Sequence, residues 1–340
     1  MPRRLSFAVA AATLSSLAWS GQALAWGSTG HRLVAQAAIE SLPANAPAFM
    51  RDPAFAAAAA EMARDPDRTR AAGRAHDRDA DAAHFVDGDD QGLVLGGPAL
   101  GALPPTREEY DTALRAVGSD SWKAGYLPYA IIDGWQHLVK DLALWRADAA
   151  GARLTADPAK AAWLAADRAR RELQIRQDVG VWAHFVGDAA YPLHVSIHYN
   201  GWGKGPNPDG YTTQSIHIPL EGPYVAAHVT LAGVKAAMTP YRDCRCAIES
   251  ETGRYLTADA AQVVPIYALE KAGGFKDGDA RGPVYMTGRI AAAASEMRDM
   301  IEQAWNASAS MSVGYPTALP ASDFEAGKVA DPYLLLHSND

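Results

Sequence analysis

Residues 157–194 read DPAKAAWLAADRARRELQIRQDVGVWAHFVGDAAYPLH. Asp157-Pro158 suits a helix start and Pro192 its end, and apolar residues recur at helical spacing from Ala159 to about Ala190. The same period appears on either side of this stretch. It runs from His31 to Leu42, through the Ala-rich Pro53 to Met62, and along Ile131 to Trp145. There Ile131, Ile132, Trp135, Leu138, Val139, Leu142 and Trp145 form one apolar stripe. Further helical patterns cover Tyr224–Met238, Thr257–Lys271 and Gly288–Trp305, whereas period-2 alternation is scarce. The expected fold is therefore all-α, a single multi-helix domain over residues 26–310. Segments 88–105 and 200–211 read as surface loops, and residues 311–340 as an irregular tail.

Met1-Pro2-Arg3-Arg4, an apolar run from Leu5 to Trp19, and Ala23-Leu24-Ala25 have the order of a secretory signal peptide, with cleavage expected before Trp26. An exported protein, secreted or periplasmic, with no membrane span is expected. The 340 residues are 49% hydrophobic, which excludes a disordered chain and supplies a large core. With 31 Lys+Arg against 39 Asp+Glu, the formal charge of −8 excludes gripping duplex DNA through a broad basic face. Contact with a phosphodiester needs another source of positive charge. Cys244 and Cys246, one residue apart, make a poor zinc pair and are read as incidental, with their redox state open.

The chemistry concentrates in five clusters. His184 and Asp188 are four apart in the long helical pattern, so they project from one face, and Pro192 lets His194 turn back toward them. His217 and Glu221 make a second pair at the same spacing. Upstream lie His84-Phe85-Val86-Asp87 and Asp65-Pro66-Asp67-Arg68, and at the expected mature terminus stands WGSTGH, residues 26–31. Imidazoles and carboxylates on shared faces are natural zinc ligands. A freed Trp26 amine, with its own carbonyl oxygen and His31 nearby, is itself a chelate.

The ordered set W-G-x-x-G-H, P-D, H-F-x-D, H-F-x-G-D-x5-H and H-x3-E resembles the trinuclear zinc superfamily. That superfamily holds the single-strand-specific nucleases (nuclease S-one and nuclease P-one) and the bacterial zinc-dependent phospholipases C. The resemblance implies an all-α domain and three Zn2+ per chain. One zinc would use the amine and carbonyl of Trp26, His31 and one oxygen of Asp188. A second would use the other oxygen of Asp188 with Asp67, His84 and His184. The third would use His194, His217 and Glu221. Asp67 is preferred to Asp65, Asp77, Asp79 and Asp81 because the family's early Asp commonly sits in such a P-D-R context. His198 is read as solvated or supporting a ligand rather than binding metal. His76, His137, His228 and His337 have no counterpart in the family.

Zinc brings the pKa of coordinated water down to about 7, which makes phosphodiester hydrolysis the natural reaction. Asp87 is expected to orient that water or act as a base, with Asp188 as the carboxylate shared by two metals, and Phe85 to stack on a base of the substrate. The five-residue step from Trp26 to His31 and the 23-residue gap from His194 to His217 look like the nucleases. Glu221 in place of Asp, and the following Pro223-Tyr224-Val225, look like the phospholipases, and Gly222 stands where both branches commonly have Asn. The expectation is a monomeric endonuclease acting on single-stranded DNA or RNA to leave 5′-phosphorylated products, without a stable protein partner. The alternatives are a phospholipase C acting on phospholipid and a non-catalytic zinc-binding scaffold. If the Trp26 amine is a ligand, a chain extended by Leu24 and Ala25 should hold less zinc and turn over more slowly than one beginning at Trp26, at matched zinc. Equal activity of the two forms would show that the amine does not bind metal.

Overall fold

A computed structural model describes residues 26–70, 81–203 and 205–337. The expected signal peptide, His76, Asp77 and Asp79 lie outside them. The fold is mostly helical, at 63% helix and 3% strand. Its longer helices are α1 (Ser28–Glu40), α2 (Pro53–Met62), α3 (Arg107–Ala116), α4 (Leu127–Leu154), α5 (Pro158–Asp188), α6 (Ile248–Ala260), α7 (Val263–Lys271) and α8 (Arg281–Ser308). Among the described residues, no helix is long and apolar enough to cross a membrane.

Helix α5 starts where its sequence says it should. Asp157 caps it by accepting from the Ala159 and Lys160 amides at 2.8 and 3.3 Å, and Pro158 occupies the first turn, where no amide donor is needed. It ends at Asp188, and Pro192–His194 follows as a 3-10 turn. Helix α4 packs extensively against α5, and α1 lies against α2, α5 and α8. At Gly180, α2 comes so close that a Cβ would sit 2.7 Å from the Ala59 carbonyl oxygen. That approach brings the end of α2 against the last turns of α5.

Four differences from the sequence reading have physical causes. Helix α3 is absent from the sequence reading, although it sets Tyr110 and Leu114 one turn apart on its buried face and Thr106 caps it by accepting from the Glu109 amide at 3.2 Å. The T-x-x-E spacing was its available signal. The Tyr224–Met238 pattern is broken at Val229–Thr230, where Thr230 caps a new helix by accepting from the Gly233 amide. The Thr257–Lys271 pattern spans the junction of α6 and α7. The tail, expected to be irregular, is not. Strands β1 (Ser312–Val313) and β2 (Leu319–Pro320) pair antiparallel, and helical turns Ala321–Glu325 and Pro332–His337 follow. Val313, Ala321 and Phe324 bury against Ala143, Ala147 and Ala150 of α4. Arg146 clamps this unit, reaching Ser308 Oγ at 2.9 Å and Glu325 Oε1 at 2.7 Å.

The α4–α5 seam also buries acid pairs. Asp141 and Asp148 of α4 are 0% and 1% exposed, and no oxygen of either carboxylate has a hydrogen-bond donor. Asp178 faces the first, with Lys140 and His137 nearby on α4. Asp167 faces the second, with Arg170 and Arg171 on the same helix. Arg171 lies 3.5 Å from Asp141 and 3.6 Å from Asp167. Burial, and then the Asp167 carboxyl, push Asp148 up to about 8. Unfolded, Asp148 ionises near 4. Between these values the folded chain keeps a proton that the unfolded chain has released, so stability falls as pH rises through the window and the loss is complete above it. Asp148→Asn should therefore raise stability at pH 8 by about 1–3 kcal/mol and change little at pH 4, as read from urea midpoints. No gain at pH 8 would mean that the pair is relieved in another way.

Candidate metal centre

The last turns of α5 set the centre. His184 Nδ1 donates to the carbonyl of Ala63, which closes α2, at 2.8 Å, so its Nε2 lone pair faces inward. Asp188, one turn on and fully buried, spans two sets of imidazoles. Its Oδ2 is 3.1 Å from His84 Nδ1 and 3.3 Å from His184 Nε2. Its Oδ1 is 3.6 Å from His31 Nε2 and 3.8 Å from His194 Nδ1. His31, in the first turn of α1, stacks on His184 with ring centroids 3.7 Å apart. Asp67, in the helical turn Asp65–Arg68, lies 3.9 Å from both His31 and His184 and 4.0 Å from His84. Asp65 pairs instead with Arg68, and Asp81 with Arg70. Of the described acids considered for this role, Asp67 is the one that faces the histidines.

His194 and His217 are set by hydrogen bonds to the main chain. The Val86 amide donates to the His194 carbonyl at 2.9 Å, and His194 Nδ1 donates back to the His84 carbonyl at 2.5 Å. His217 Nδ1 donates to the Tyr199 carbonyl at 2.7 Å, and the buried Tyr191 hydroxyl donates to the His217 carbonyl at 3.0 Å. His194 and His217 thus spend their Nδ1 protons on main-chain oxygens. Their Nε2 lone pairs face each other at 3.0 Å. Two neutral acceptors cannot bond to one another, whereas a shared cation satisfies both. Glu221, one turn beyond His217, brings Oε2 to 3.0 Å from His217 Nε2 and 3.5 Å from His194 Nε2.

Trp26 is fully buried. Its indole donates to the Gly187 carbonyl at 2.5 Å, its ring lies 4.7 Å from that of Tyr191, and the next amide, Gly27, donates to the Glu221 carbonyl. The start of the described chain is thereby pinned between the residue preceding Asp188 and the Glu221 turn.

Three groups among the described residues are positioned to bind metal ions: His31, His184 and Asp188; Asp67, His84 and His184; and His194, His217 and Glu221. Their burial leaves polar atoms stranded. Both nitrogens of His31, Nε2 of His84, Oδ1 of Asp188 and both oxygens of Glu221 have no hydrogen-bond partner. Each such atom costs about 1–3 kcal/mol when left unmet, and their concentration in one place fits cations as the missing partners. Burial holds His31 and His84 well below the usual imidazole range and brings His184 and His217 to about 4, so these rings stay neutral, the form that ligates. Burial also raises Asp188 to about 7 and Glu221 to about 8. A cation beside them would restore the carboxylates. The carbonyl end of α5 adds to the preference for positive charge. A fourth group, Cys244, Cys246 and Glu251, differs in kind: its cysteines are joined in a disulfide, and Glu251 is held by Arg242 and Arg254.

A cleft of about 320 Å³ opens onto His84, His194 and His217. Phe85, half-buried, and Asp87 line it, as do Arg70, Lys123 and Tyr199, which the sequence reading did not single out. Arg70, three residues after Asp67, had a positional signal, but Lys123 and Tyr199 reach the cleft only through the tertiary fold. Burial pushes the Asp87 carboxyl up to about 7. His198 stands apart from the centre. Its Nδ1 accepts from the Gly203 amide, its Nε2 donates to Asp90, and its ring stacks on Trp202 at 3.9 Å. His137 and His228 are exposed, and His337 stacks on Tyr333, all outside the three groups.

Compared with known proteins, the chain matches no family model, no curated protein and no solved structure.

Because Asp188 faces imidazoles on two sides, Asp188→Asn should lose at least half of the metal that the wild type retains after reconstitution and desalting, read by plasma mass spectrometry. It should also lose most of the rise in Tm that metal produces in the parent. Full metal content in the variant would show that Asp188 is not shared.

Proposed function

We propose that the chain is an exported zinc-dependent phosphodiesterase, an endonuclease that hydrolyses single-stranded DNA or RNA to 5′-phosphorylated products. The observation that carries this reading is the meeting of three His and carboxylate groups, with stranded buried ligand atoms, at one end of a cleft lined by cations and aromatics. In this reading the Trp26 amine and carbonyl, His31 and one oxygen of Asp188 hold one zinc. The other oxygen of Asp188, Asp67, His84 and His184 hold a second, and His194, His217 and Glu221 hold a third. Bound zinc would supply Lewis acidity toward the phosphoryl group and a hydrolytic nucleophile at neutral pH.

The remaining roles belong to the chain's own side chains. Arg70 and Lys123 set positive charge on the cleft walls, where a phosphodiester needs it in a chain of net charge −8. Phe85 presents an aromatic face to a base, a contact worth about 1–3 kcal/mol and indifferent to sequence. Asp87, with its carboxyl near 7, is suited to take and return a proton around neutral pH.

The test is hydrolysis of denatured DNA, RNA, duplex DNA and phosphatidylcholine side by side, with zinc and with chelator. Zinc-dependent cleavage of the single-stranded polymers is expected, and Asp87→Asn should slow it by about 10²–10⁴-fold while zinc content is kept. Turnover of phosphatidylcholine without cleavage of nucleic acid would make the protein a phospholipase C. Failure to hydrolyse even bis(p-nitrophenyl) phosphate would make it a zinc-binding scaffold.

A further inference from the structure

The rim of the cleft carries a feature that metal chemistry does not use. The single helical turn Ser121–Ala124 holds Trp122 and Lys123 side by side. This turn is fastened at both ends. Asp120 accepts from the Lys123 amide at 2.9 Å, and Asp111 of α3 accepts from the Ser121 amide at 2.8 Å. The Ala124 carbonyl accepts from the Asp87 amide at 2.8 Å, the Tyr126 amide donates to the Ala82 carbonyl, and the Leu127 amide donates to the Phe85 carbonyl. Between them Gly125 has φ +79°, and a Cβ there would lie 2.0 Å from the Phe85 carbonyl oxygen. Only glycine lets the two segments meet so closely. The buried Tyr110 hydroxyl donates to the Gly125 carbonyl at 2.7 Å and closes the arrangement. The turn is therefore rigidly joined to the segment that presents His84, Phe85 and Asp87.

On this base Trp122 is 43% exposed and has no hydrogen bond or ring contact among the described residues. Lys123 lines the cleft, and its ammonium lies 3.3 Å from Asp120 across a largely exposed contact. Such a surface pair is weak enough to yield to a phosphate. An exposed indole held on a rigid support beside a catalytic cleft has the properties of a stacking platform rather than of a core residue.

We propose that Trp122 and Lys123 form an outer subsite for single-stranded nucleic acid, in which a base beyond the one at Phe85 stacks on Trp122 while its phosphate meets the Lys123 ammonium. The proposal rests on the nuclease reading and extends it along the substrate. Phe85, Arg70 and Lys123 line the cleft and Trp122 precedes Lys123 on the same turn, so aromatic and cationic side chains occur together there, as a polymer that repeats base and phosphate requires. A lipid surface fits less well, because the turn that carries the single indole is fastened by the carboxylates of Asp111 and Asp120.

The experiment compares KM for a dinucleotide and a decanucleotide of the same base. In the wild type KM should fall with length, and in Trp122→Ala this advantage should shrink about tenfold. Trp122→Phe should restore most of it, because the ring and not the indole nitrogen makes the contact. Lys123→Gln should shrink the same advantage and weaken its dependence on salt. An unchanged length dependence in Trp122→Ala, or an equal loss on both substrates, would overturn the outer subsite while leaving the nuclease reading intact. A loss seen only on phosphatidylcholine vesicles would make Trp122 a membrane anchor. A wild type that cleaves no nucleic acid would overturn both the subsite and the reading it rests on.

Discussion

Asp188 ends a 31-residue helix with its carboxylate entirely buried and four imidazole nitrogens between 3.1 and 3.8 Å from its two oxygens. An ionised carboxylate in such a place costs several kcal/mol unless positive charge meets it, and burial holds His31, His84 and His184 in their neutral forms. Around it the helices must nevertheless pack, and the close approach at Gly180 brings α2 and α5 together just where the Ala63 carbonyl fixes His184. The centre and the core are therefore one construction. A cation that met Asp188 would also help hold α1, α2 and α5 in register, so that metal binding and folding would share their free energy.

The main chain, more than neighbouring side chains, orients the ligands. His184, His194 and His217 each donate Nδ1 to a carbonyl, from Ala63, His84 and Tyr199 respectively, and these lie in three separate segments. Each of these bonds fixes a tautomer and aims an Nε2 lone pair. The helix supplies one pair of ligands at i and i+4, but His84 and His194 close two short 3-10 turns that are zipped to each other and, on the His84 side, to residues 124–127. A rigid helix end and a zipped loop pair thus divide the work of building one site.

This division explains what could be read in advance. His184 with Asp188, and His217 with Glu221, were legible because spacing along a helix is local geometry. The preference for Asp67 over Asp65 and Asp81 came from a family's sequence context, and the structure places Asp67 against His31, His84 and His184, a set of neighbours that only the tertiary fold brings together. The all-α class was legible from period alone, yet the break before Leu231 depended on one capping threonine. The ordered tail depended on a few apolar residues, Val313, Ala321 and Phe324, finding alanines of α4 that are remote in sequence. Lys123 and Tyr199 carry no motif. They become cleft residues only when the chain is folded.

Charge poses the remaining question, since the chain is acidic while the proposed substrate is an anion. Overall charge governs long-range encounter, but the field inside a cleft is set by what lies within a few ångströms. Asp67, Asp188 and Glu221 would offset only half of the charge brought by three zinc ions, and Arg70, paired with Asp81, and Lys123, paired with Asp120, stand at the cleft wall. Seven of the eight side chains in the three groups are buried, and a cleft of about 320 Å³ leads to His84, His194 and His217. A duplex, with its bases paired and its backbone stiff, cannot fold a phosphate into so narrow a space without unpairing. A single strand can, because it can turn one base aside onto an aromatic face as its phosphate enters. In this reading selectivity for single strands would need no base-reading contacts, because the cleft walls offer aromatic faces and charge that any base and phosphate can meet.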